Sequence, residues 1–464
     1  MVAEMPARAR GRSLIPTLAI ETLRRHLRSG YNLRVPMPTL LELIRRFARA
    51  PVWKQLGPGL ITGAADDDPS GIATYSQAGA QFGFNMLWTV ILTYPMMAAI
   101  QMVSARLGVV TGRGLAANIR RGFAPVLLYG IVLLLVAANT INIAADIAAM
   151  ADAVHLFLGG PRHLYALLFG VLCLGLQVFL SYQVYVRYLK WLTLALLSYV
   201  AVAFTVHVPW GEVAVASLWP RLTWDNTTLM MVVAIFGTTI SPYLFFWQAA
   251  QEVEDLRATP NGASLRREPA GAAARLMRIK VDTWVGMGFS NLVAFFIILS
   301  TAVTLHAAGI PNIQTSAQAA EALRPLAGDF AFLLFGLGII GTGLLAVPVL
   351  AGSAAYAVAE TLHWKTGLDL KWPAQGRGFY GIIAVATLGG ALIDFLPIDP
   401  IKALFWSAVI NGVIAVPIMA MMMWLASSTR IMGAFTLSLR HRVLGWVATG
   451  VMLAAVLAML GTWL

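Results

Sequence analysis

Three consecutive carboxylates lie in an otherwise apolar stretch near the start of the hydrophobic part of the chain. Asp66, Asp67 and Asp68 are followed by Pro69 and, two residues later, by Gly71. Proline removes a backbone donor and glycine loosens the chain, so an unbroken helix is not expected here. A carboxylate inside a membrane segment is costly unless it faces a cavity or a partner, which makes it a functional hypothesis by default. The alternative interpretation is a helix cap at the membrane interface, although apolar sequence continues on both sides.

A second interruption occurs in the sixth apolar segment. Gly237 and Pro242 enclose the hydroxyl residues Thr238 and Ser241. Paired interruptions at corresponding places in two halves of a chain are the best sequence indication of the binding site of an inverted-repeat transporter. Unwinding frees backbone carbonyl oxygens, and the aspartate adds a full negative charge beside them. The combination predicts a cation site near the middle of the bilayer that opens alternately to each side.

The elements that must position these residues are membrane helices. Hydrophobic residues make up 59% of the 464 residues and charged residues 12%, about half of the roughly 25% typical of soluble domains. The mean hydropathy is +0.74. Apolar runs of about 20 residues recur along the chain, and that length crosses ~30 Å of hydrocarbon. The sequence therefore predicts an all-α polytopic membrane protein.

Eleven membrane-spanning helices are predicted, with the first and the sixth broken. They cover residues 56–84, 85–107, 125–158, 163–180, 185–208, 227–251, 279–305, 330–362, 379–396, 400–425 and 443–464. No connecting loop is long enough to hold a separate soluble domain. The function is therefore expected to lie among the helices.

The placement of basic residues predicts the orientation. With the amino terminus in the cytoplasm, 33 lysines and arginines divide so that only Arg162, Arg221, Arg324 and Lys402 fall outside. This asymmetry follows the positive-inside rule and predicts a multi-pass inner-membrane protein whose carboxyl terminus lies outside. The formal net charge of +12 then faces anionic lipid headgroups of the bilayer, and no nucleic-acid partner is expected.

The residues around the first interruption resemble those of a known transporter family. Residues 57–83 read GPGLITGAADDDPSGIATYSQAGAQFG, and residues 104–116 read SARLGVVTGRGLA. Both segments are similar to the Nramp (natural resistance-associated macrophage protein) family of divalent metal transporters, in which the first break reads Asp-Pro-Gly-Asn. The resemblance extends over the hydrophobic layout from about residue 56 onward. It implies metal uptake toward the cytoplasm, usually coupled to protons.

The same resemblance implies a LeuT-like fold of two inverted five-helix repeats plus one extra helix. On that basis the chain divides into a basic cytoplasmic amino-terminal tail (1–53) and a transmembrane transporter domain (54–464). The domain consists of a first repeat (54–208), a second repeat (226–425) and the extra helix (443–464). Within the tail, the stretch LLELIRRFA could form an amphipathic surface helix, and a solvated tail is the alternative.

Part of the family's metal site is implied for the first helix. Asp68 falls on the family's metal-binding aspartate, and Pro69 falls on the proline that follows it. Gly71 replaces the family's ligand asparagine. The break at Pro69 is therefore retained, while one side-chain ligand is lost.

The sixth helix departs further from the family pattern. The family's Met-Pro-His reads Ser241-Pro242-Tyr243, Thr238 falls on the residue that offers a backbone carbonyl, and the later histidine falls on Gln248. The implied metal site and the two helix-breaking prolines are therefore Asp68, Gly71, Thr238, Ser241, Pro69 and Pro242.

The loss of the methionine predicts a change in metal preference. Methionine sulfur is a soft ligand, whereas oxygen ligands suit magnesium, calcium and manganese. Losing both the asparagine and the methionine side chains also leaves room for a partly hydrated ion, and magnesium gives up its waters reluctantly. In this respect the chain is similar to Nramp-related magnesium transporters that lack the methionine. We expect transport of manganese or magnesium, with iron and cadmium disfavoured.

A proton route is a separate question. Asn139, Asn142 and Asp146 are spaced to share one face of the third helix. By the resemblance, Asp146 falls near a family glutamate of the proton route, while the preceding family aspartate is replaced by Ile143. Asp146 is therefore either a proton carrier or a structural hydrogen-bonding residue. Proton coupling stays open because the family's sixth-helix histidines are replaced too.

Other functional classes are less consistent with the sequence. The three aspartates resemble an acidic cluster of membrane prenyltransferases, but the second acidic cluster that those enzymes need is missing. A sodium-coupled symporter of small organic solutes on the same fold is the alternative transporter, although acid at the break favours a cation as cargo. The single cysteine, Cys173, excludes an intrachain disulfide and a cysteine-based metal site. Neither enzymatic activity nor a bound cofactor is expected.

The remaining polar and sulfur-containing residues are expected to have structural roles and no part in transport. Asp282 and Glu360 lie near predicted cytoplasmic helix ends, where a solvated or capping role is expected. The methionines within 419–423 show no consistent helical face, so contact with lipid is expected.

Overall fold

The structure, a computed structural model, describes residues 58–180, 192–221, 223–259, 262–370, 374–396 and 399–462. Every regular element within these ranges is a helix, which confirms the predicted all-α class. The predicted amino-terminal tail and the beginning of the predicted fifth span lie outside the described residues.

The helices lie where the hydrophobic pattern predicts them. In order they are α1 (Pro58–Asp66), α2 (Pro69–Phe82), α3 (Leu87–Thr111), α4 (Leu115–Gly122), α5 (Pro125–Leu158), α6 (Arg162–Phe179), α7 (Leu197–Thr205), α8 (Trp210–Leu218), α9 (Asn226–Thr239), α10 (Pro242–Ala258), α11 (Ala272–Thr301), α12 (Ser316–Ala320), α13 (Arg324–Ala327), α14 (Ala331–Thr361), α15 (Arg377–Ile393), α16 (Pro400–Ser427), α17 (Thr429–Met432) and α18 (Leu439–Gly461).

Eight segments of the described chain are long and apolar enough to cross a membrane. One of them, Pro69–Thr111, has 43 residues, about twice the ~20 that one crossing needs, so it makes two crossings. The apolar stretch Leu194–Thr205 and helix α15 are shorter and lie where the fifth and ninth spans are predicted. Each of the eleven predicted spans therefore coincides with helix in the described residues.

The first and sixth spans are both interrupted, and in the same way. α2 begins at Pro69 and α10 begins at Pro242, each in the first helical turn, where the missing N–H of proline has no intrahelical partner to lose. The preceding residues are extended, with φ −70° and ψ 171° at Asp68 and φ −79° and ψ 129° at Ser241. A residue before proline is pushed out of the helical region, so these two dipeptides end one helix and start the next.

Glycine contacts bring the broken spans against their neighbours. A Cβ atom on Gly63 of α1 would lie 2.3 Å from the carbonyl oxygen of Gly286 in α11. A Cβ atom on Gly237 of α9 would lie 2.1 Å from the carbonyl oxygen of Ala408 and 2.4 Å from the backbone nitrogen of Gly412 in α16. Small residues permit such close approach of membrane helices. Both unwound regions are therefore held against continuous helices.

Two acids near helix ends serve as caps. Asp282 Oδ2 accepts a hydrogen bond of 2.7 Å from the backbone nitrogen of Gly59, at the start of α1. Glu360 Oε2 accepts one of 3.0 Å from the backbone nitrogen of Ala117, in the first turn of α4. Asp282 is 2% exposed, so the capping alternative describes it and the solvated alternative does not. These caps satisfy helix N–H groups that have no intrahelical partner.

The expectation of lipid contact was wrong for three of the four methionines. Met419, Met422 and Met423 are completely buried, because α16 is packed against α9, α5 and α18, whereas Met421 is half-buried. A helix enclosed on most sides has no periodic apolar face, so the absence of a pattern indicated burial.

The contact of Gly237 with α16 gives a test of the packing. Gly237→Ala is expected to lower the thermal unfolding temperature of the purified protein, because overpacking a close backbone contact costs about 1–3 kcal/mol. Gly450→Ala in α18 is the matched control, since a Cβ there meets nothing within 4 Å, and it should leave stability unchanged or raise it. Equal behaviour of the two variants would contradict the described packing.

Candidate metal-binding site

Asp68 lies at the break of the first span and faces the interior of the helix bundle. Its Oδ1 accepts a hydrogen bond of 2.7 Å from the backbone nitrogen of Gly71, so it caps α2. Its Oδ2 accepts one of 3.0 Å from Asn142 Nδ2 and lies 3.4 Å from the hydroxyl of Tyr243. The residue is 2% exposed. Asp68 is thus a helix cap, but one inside the protein and not at the membrane interface.

The missing side chain of Gly71 allows a close approach between the two breaks. A Cβ atom at Gly71 would lie 3.2 Å from Thr238 Oγ1, so the two predicted site residues are neighbours across the two breaks. Thr238 is 2% exposed and its carbonyl oxygen accepts a hydrogen bond of 2.8 Å from the hydroxyl of Ser241. The four residues predicted as a metal site therefore form one continuous group around the junction of the first and sixth spans.

The Ser241 hydroxyl is directed toward its own span. It donates to the carbonyl oxygens of Thr238 at 2.8 Å and of Gly237 at 2.9 Å. These carbonyls are at the end of α9, where no further helical turn supplies donors. Ser241 therefore satisfies the unwound end of α9 in this arrangement, and its lone pairs remain for a cation.

Tyr243, which replaces a family histidine, lies beside Asp68 and joins the candidate site. Its hydroxyl lies 3.2 Å from the carbonyl oxygen of Ala65 and 3.4 Å from Asp68 Oδ2. The side chain is completely buried. Tyr243 thus lies between a freed carbonyl of α1 and the carboxylate, and its position directly after Pro242 was the available signal.

An amide of the third span connects a carboxylate of the first span with one of the third. Asn142 Nδ2 donates to Asp68 Oδ2 at 3.0 Å and to Asp146 Oδ2 at 3.2 Å. Asn142 Oδ1 accepts a hydrogen bond of 3.2 Å from Asn411 of α16. Asn411 fixes the amide orientation, so that the N–H₂ group points at both acids. Asp146 is completely buried and is linked through Asn142 to Asp68, the predicted metal aspartate.

The predicted polar face of the third span is only partly shared. Asn139 donates to the carbonyl oxygen of Leu350 at 2.9 Å and to the hydroxyl of Ser353 at 2.7 Å, both in α14. Asn142 and Asp146 instead point toward Asp68. Asn139 is therefore a helix-packing residue, and the spacing alone did not distinguish it from the other two.

Asp66 and Asp67 point away from Asp68's partners. The Ser290 hydroxyl of α11 lies 2.6 Å from Asp66 Oδ2 and 3.0 Å from Asp67 Oδ1. Both acids are buried. The run of three carboxylates is thereby divided between two sides of the first span, Asp68 toward α5 and α10 and the other two toward α11.

Polar contacts close the site toward the end of the bundle at which α1 begins. Thr62 Oγ1 donates to Gln248 Oε1 at 2.6 Å. Further along α10, Glu252 forms an ion pair of 2.7 Å with Arg278 of α11, and Asp255 forms one of 3.2 Å with the same guanidinium. Together with the Asp282 cap, these contacts hold α1 and α10 against α11.

Toward the opposite end, the site is covered by small polar contacts. Ser70 Oγ donates to the carbonyl oxygen of Leu404 at 3.0 Å and lies 3.1 Å from Ser407 Oγ. Beyond them is a cavity of about 10 Å³, lined among others by Ser76 and Ser316, which has room for about one water molecule. Asp68 is therefore enclosed from both ends in this structure.

Comparison with known families gives a match over nearly all of the described chain. The family model described as natural resistance-associated macrophage protein-like (Nramp) matches residues 59–462. The divalent metal cation transporter MntH of Verminephrobacter eiseniae is 28% identical over 422 residues, which cover 87% of this chain and 87% of that protein. The MntH of Yersinia pestis (strain Pestoides F) is 30% identical over 308 residues, 63% of this chain and 69% of that protein.

Solved structures share the fold at low sequence identity. A crystal structure of the Eremococcus coleocola manganese transporter, in complex with an aromatic bis-isothiourea substituted compound, has a TM-score of 0.68 at 17% identity and covers 93% of this chain and 89% of its own. Mhp1, a nucleobase-cation-symport-1 family transporter, has a TM-score of 0.52 at 14% identity, covering 88% and 92%. The predicted LeuT-like fold is thereby confirmed.

Proposed function

This chain belongs to the Nramp family, and from that premise we propose that it is a secondary transporter of divalent metal ions, manganese or magnesium, working by alternating access. It is a multi-pass membrane protein and not an enzyme, in agreement with relatives named as divalent metal cation transporters. The family resemblance implies uptake toward the cytoplasm, so the proposed direction of transport is import.

The observation that supports this most directly is the charge at the first break. Asp66, Asp67 and Asp68 are all buried, and among the described residues none of them forms an ion pair. Buried carboxylates are strongly disfavoured without a compensating cation or proton. A divalent ion beside Asp68 supplies that compensation for the Asp68 carboxylate, and the adjacent freed carbonyl of Ala65 adds a neutral oxygen.

The ligand chemistry supports a hard ion. Asp68 offers a carboxylate, Thr238 and Ser241 offer hydroxyl and carbonyl oxygens, and Gly71 offers no side chain. Oxygen ligands suit magnesium and manganese, whereas sulfur selects softer metals. Magnesium usually keeps several waters when protein-bound, and the smaller side chains at Gly71 and Ser241, in place of the family's asparagine and methionine, favour a partly hydrated ion once the two breaks separate. The Tyr243 hydroxyl lies near both the Ala65 carbonyl oxygen and Asp68 Oδ2, so it is positioned to hold such a water.

Alternating access requires the contacts at the two ends of the site to break in turn. Toward the predicted cytoplasmic end, α1 is held by the Asp282 cap and by the Thr62–Gln248 hydrogen bond. Toward the other end, Ser70 joins α2 to α16 through Leu404 and Ser407. A few hydrogen bonds on each side are a small barrier compared with the packed core. The breaks at Asp68 and Ser241 supply the points about which each half-helix can turn.

Proton coupling through Asp146 stays a prediction. Asn142 links Asp146 to Asp68, which supports communication between the metal site and a second acid. The alternative of a sodium-coupled solute symporter is disfavoured by the carboxylates at the break, because such carriers leave an uncharged space for the organic substrate there.

Metal uptake by the purified protein in proteoliposomes tests the proposal. Asp68→Asn keeps the shape of the side chain but removes its charge, so manganese and magnesium uptake should fall by roughly 100-fold or more, beyond the effect of losing an outer-shell partner. Asp329→Asn, an exposed substitution, is the charge-matched control and should transport normally. Undiminished uptake by the Asp68 variant would refute the site.

Metal preference is tested by restoring a sulfur ligand. Ser241→Met is expected to raise cadmium transport relative to magnesium on the order of tenfold, because a thioether favours soft ions. Ser241→Leu has similar bulk without sulfur and should not show this gain. If wild-type protein already transports cadmium strongly and shows no response to manganese or magnesium, the proposed hard site is wrong.

A further inference from the structure

Three segments meet at the end of the bundle at which α3 finishes. The segment after α10 runs along the end of α3, where the backbone nitrogen of Arg266 donates to the carbonyl oxygen of Val110 at 3.2 Å. The Arg266 guanidinium donates in turn to the carbonyl oxygens of Arg430 at 3.3 Å and Ile431 at 2.8 Å. The ends of α3 and α17 are thereby joined through one arginine.

Helix α4 brings further arginines to the same place. A Cβ atom on Gly122 would lie 3.5 Å from the side chain of Ile431. Arg121 directly precedes Gly122 and Arg430 directly precedes Ile431, so both arginines lie next to this contact. At the other end of α4, Asn118 Nδ2 donates to the carbonyl oxygen of Arg113 at 2.9 Å. We call Arg113, Arg121, Arg266 and Arg430 the arginine patch, and all four are exposed.

The patch carries charge that the described part of the protein does not neutralise. The ion pairs of the described residues involve none of its four members. Partial burial and the charges of Arg113, Arg266 and Arg430 lower the pKa of Arg121, as expected where like charges crowd together. Such crowding is unfavourable unless an anion lies among the guanidinium groups.

Apolar surface continues from the patch toward the membrane. Phe123 and Trp424 are in contact, with ring centroids 4.9 Å apart, and Trp424 is 48% exposed. Val126, the second residue of α5, is 79% exposed. Tryptophan at a helix end is typical of the headgroup level of a bilayer. The arginines therefore have an exposed apolar face beside them that an acyl chain can contact.

We propose that the arginine patch is a binding site for the phosphate of an anionic phospholipid, whose acyl chain lies against Phe123 and Trp424. Guanidinium groups bind phosphate through paired charge-assisted hydrogen bonds. The continuous apolar face favours a lipid over free phosphate, because phosphate has no apolar part that could contact this face. The site is distinct from the transport site and does not depend on the proposed function.

Lipid binding by the full chain in detergent tests this assignment. Wild-type protein should retain phosphatidylglycerol in native mass spectrometry in clear preference to phosphatidylcholine. Arg121→Gln combined with Arg430→Gln should weaken phosphatidylglycerol binding by roughly twenty-five-fold, since each arginine near an anionic surface contributes about fivefold. These two side chains are chosen because Arg266 also binds backbone carbonyls and its loss could disturb folding.

The matched control is Arg267→Gln combined with Arg440→Gln, which removes the same charge from exposed positions outside the patch and should bind phosphatidylglycerol as wild type does. Equal loss in both double variants, or no preference of wild type for the anionic lipid, would overturn the site. If millimolar inorganic phosphate displaced bound phosphatidylglycerol as effectively as added phosphatidylglycerol does, the patch would be a general anion site. That result would also overturn the proposed lipid site.

A second measurement needs no arginine variant. Brominated phosphatidylglycerol should quench tryptophan fluorescence more than brominated phosphatidylcholine does, and Trp424→Phe should abolish the difference. Persistence of the full difference in Trp424→Phe would place the lipid elsewhere.

Discussion

A carboxylate buried beside two unwound helix ends is the constraint on which the rest of the structure depends. Inside a bilayer every backbone polar group must be satisfied within the protein, and the breaks at Asp68 and Ser241 free several at once. The protein meets this demand locally: Asp68 accepts from Gly71, and Ser241 donates to the end of α9. What these bonds leave uncompensated is negative charge, which supports the proposal that a divalent cation binds beside Asp68.

The surrounding helices keep that charge in place without neutralising it. Asn142 and Tyr243 provide N–H and O–H groups to Asp68 but no positive charge. Asn411 fixes the amide of Asn142 from a different repeat of the fold. A lysine or arginine in either position would compete with the ion, whereas neutral donors orient the carboxylate and still let a cation bind and leave. The close glycine contacts hold α1 against α11 and α9 against α16, again through backbone and not through charge.

Local rules in the sequence predicted the breaks, and non-local contacts decided the rest. Proline acts on its own helix, so Pro69 and Pro242 could be interpreted from the chain alone. The division of the aspartates could not, because it depends on Ser290 of a helix more than two hundred residues away. The Asn142–Asn411 hydrogen bond and the Tyr243 hydroxyl likewise depend on how distant helices are rotated. Three methionines of α16 were misassigned because burial on most sides of a helix removes the periodicity on which such an interpretation relies.

The position of the ion is the most direct test of this account. Crystals of the protein soaked in manganese and measured near the manganese absorption edge should show an anomalous density peak between Asp68 and Thr238, at the junction of the two broken spans. A peak held instead by Asp66, Asp67 and Ser290, with none beside Asp68, would contradict it.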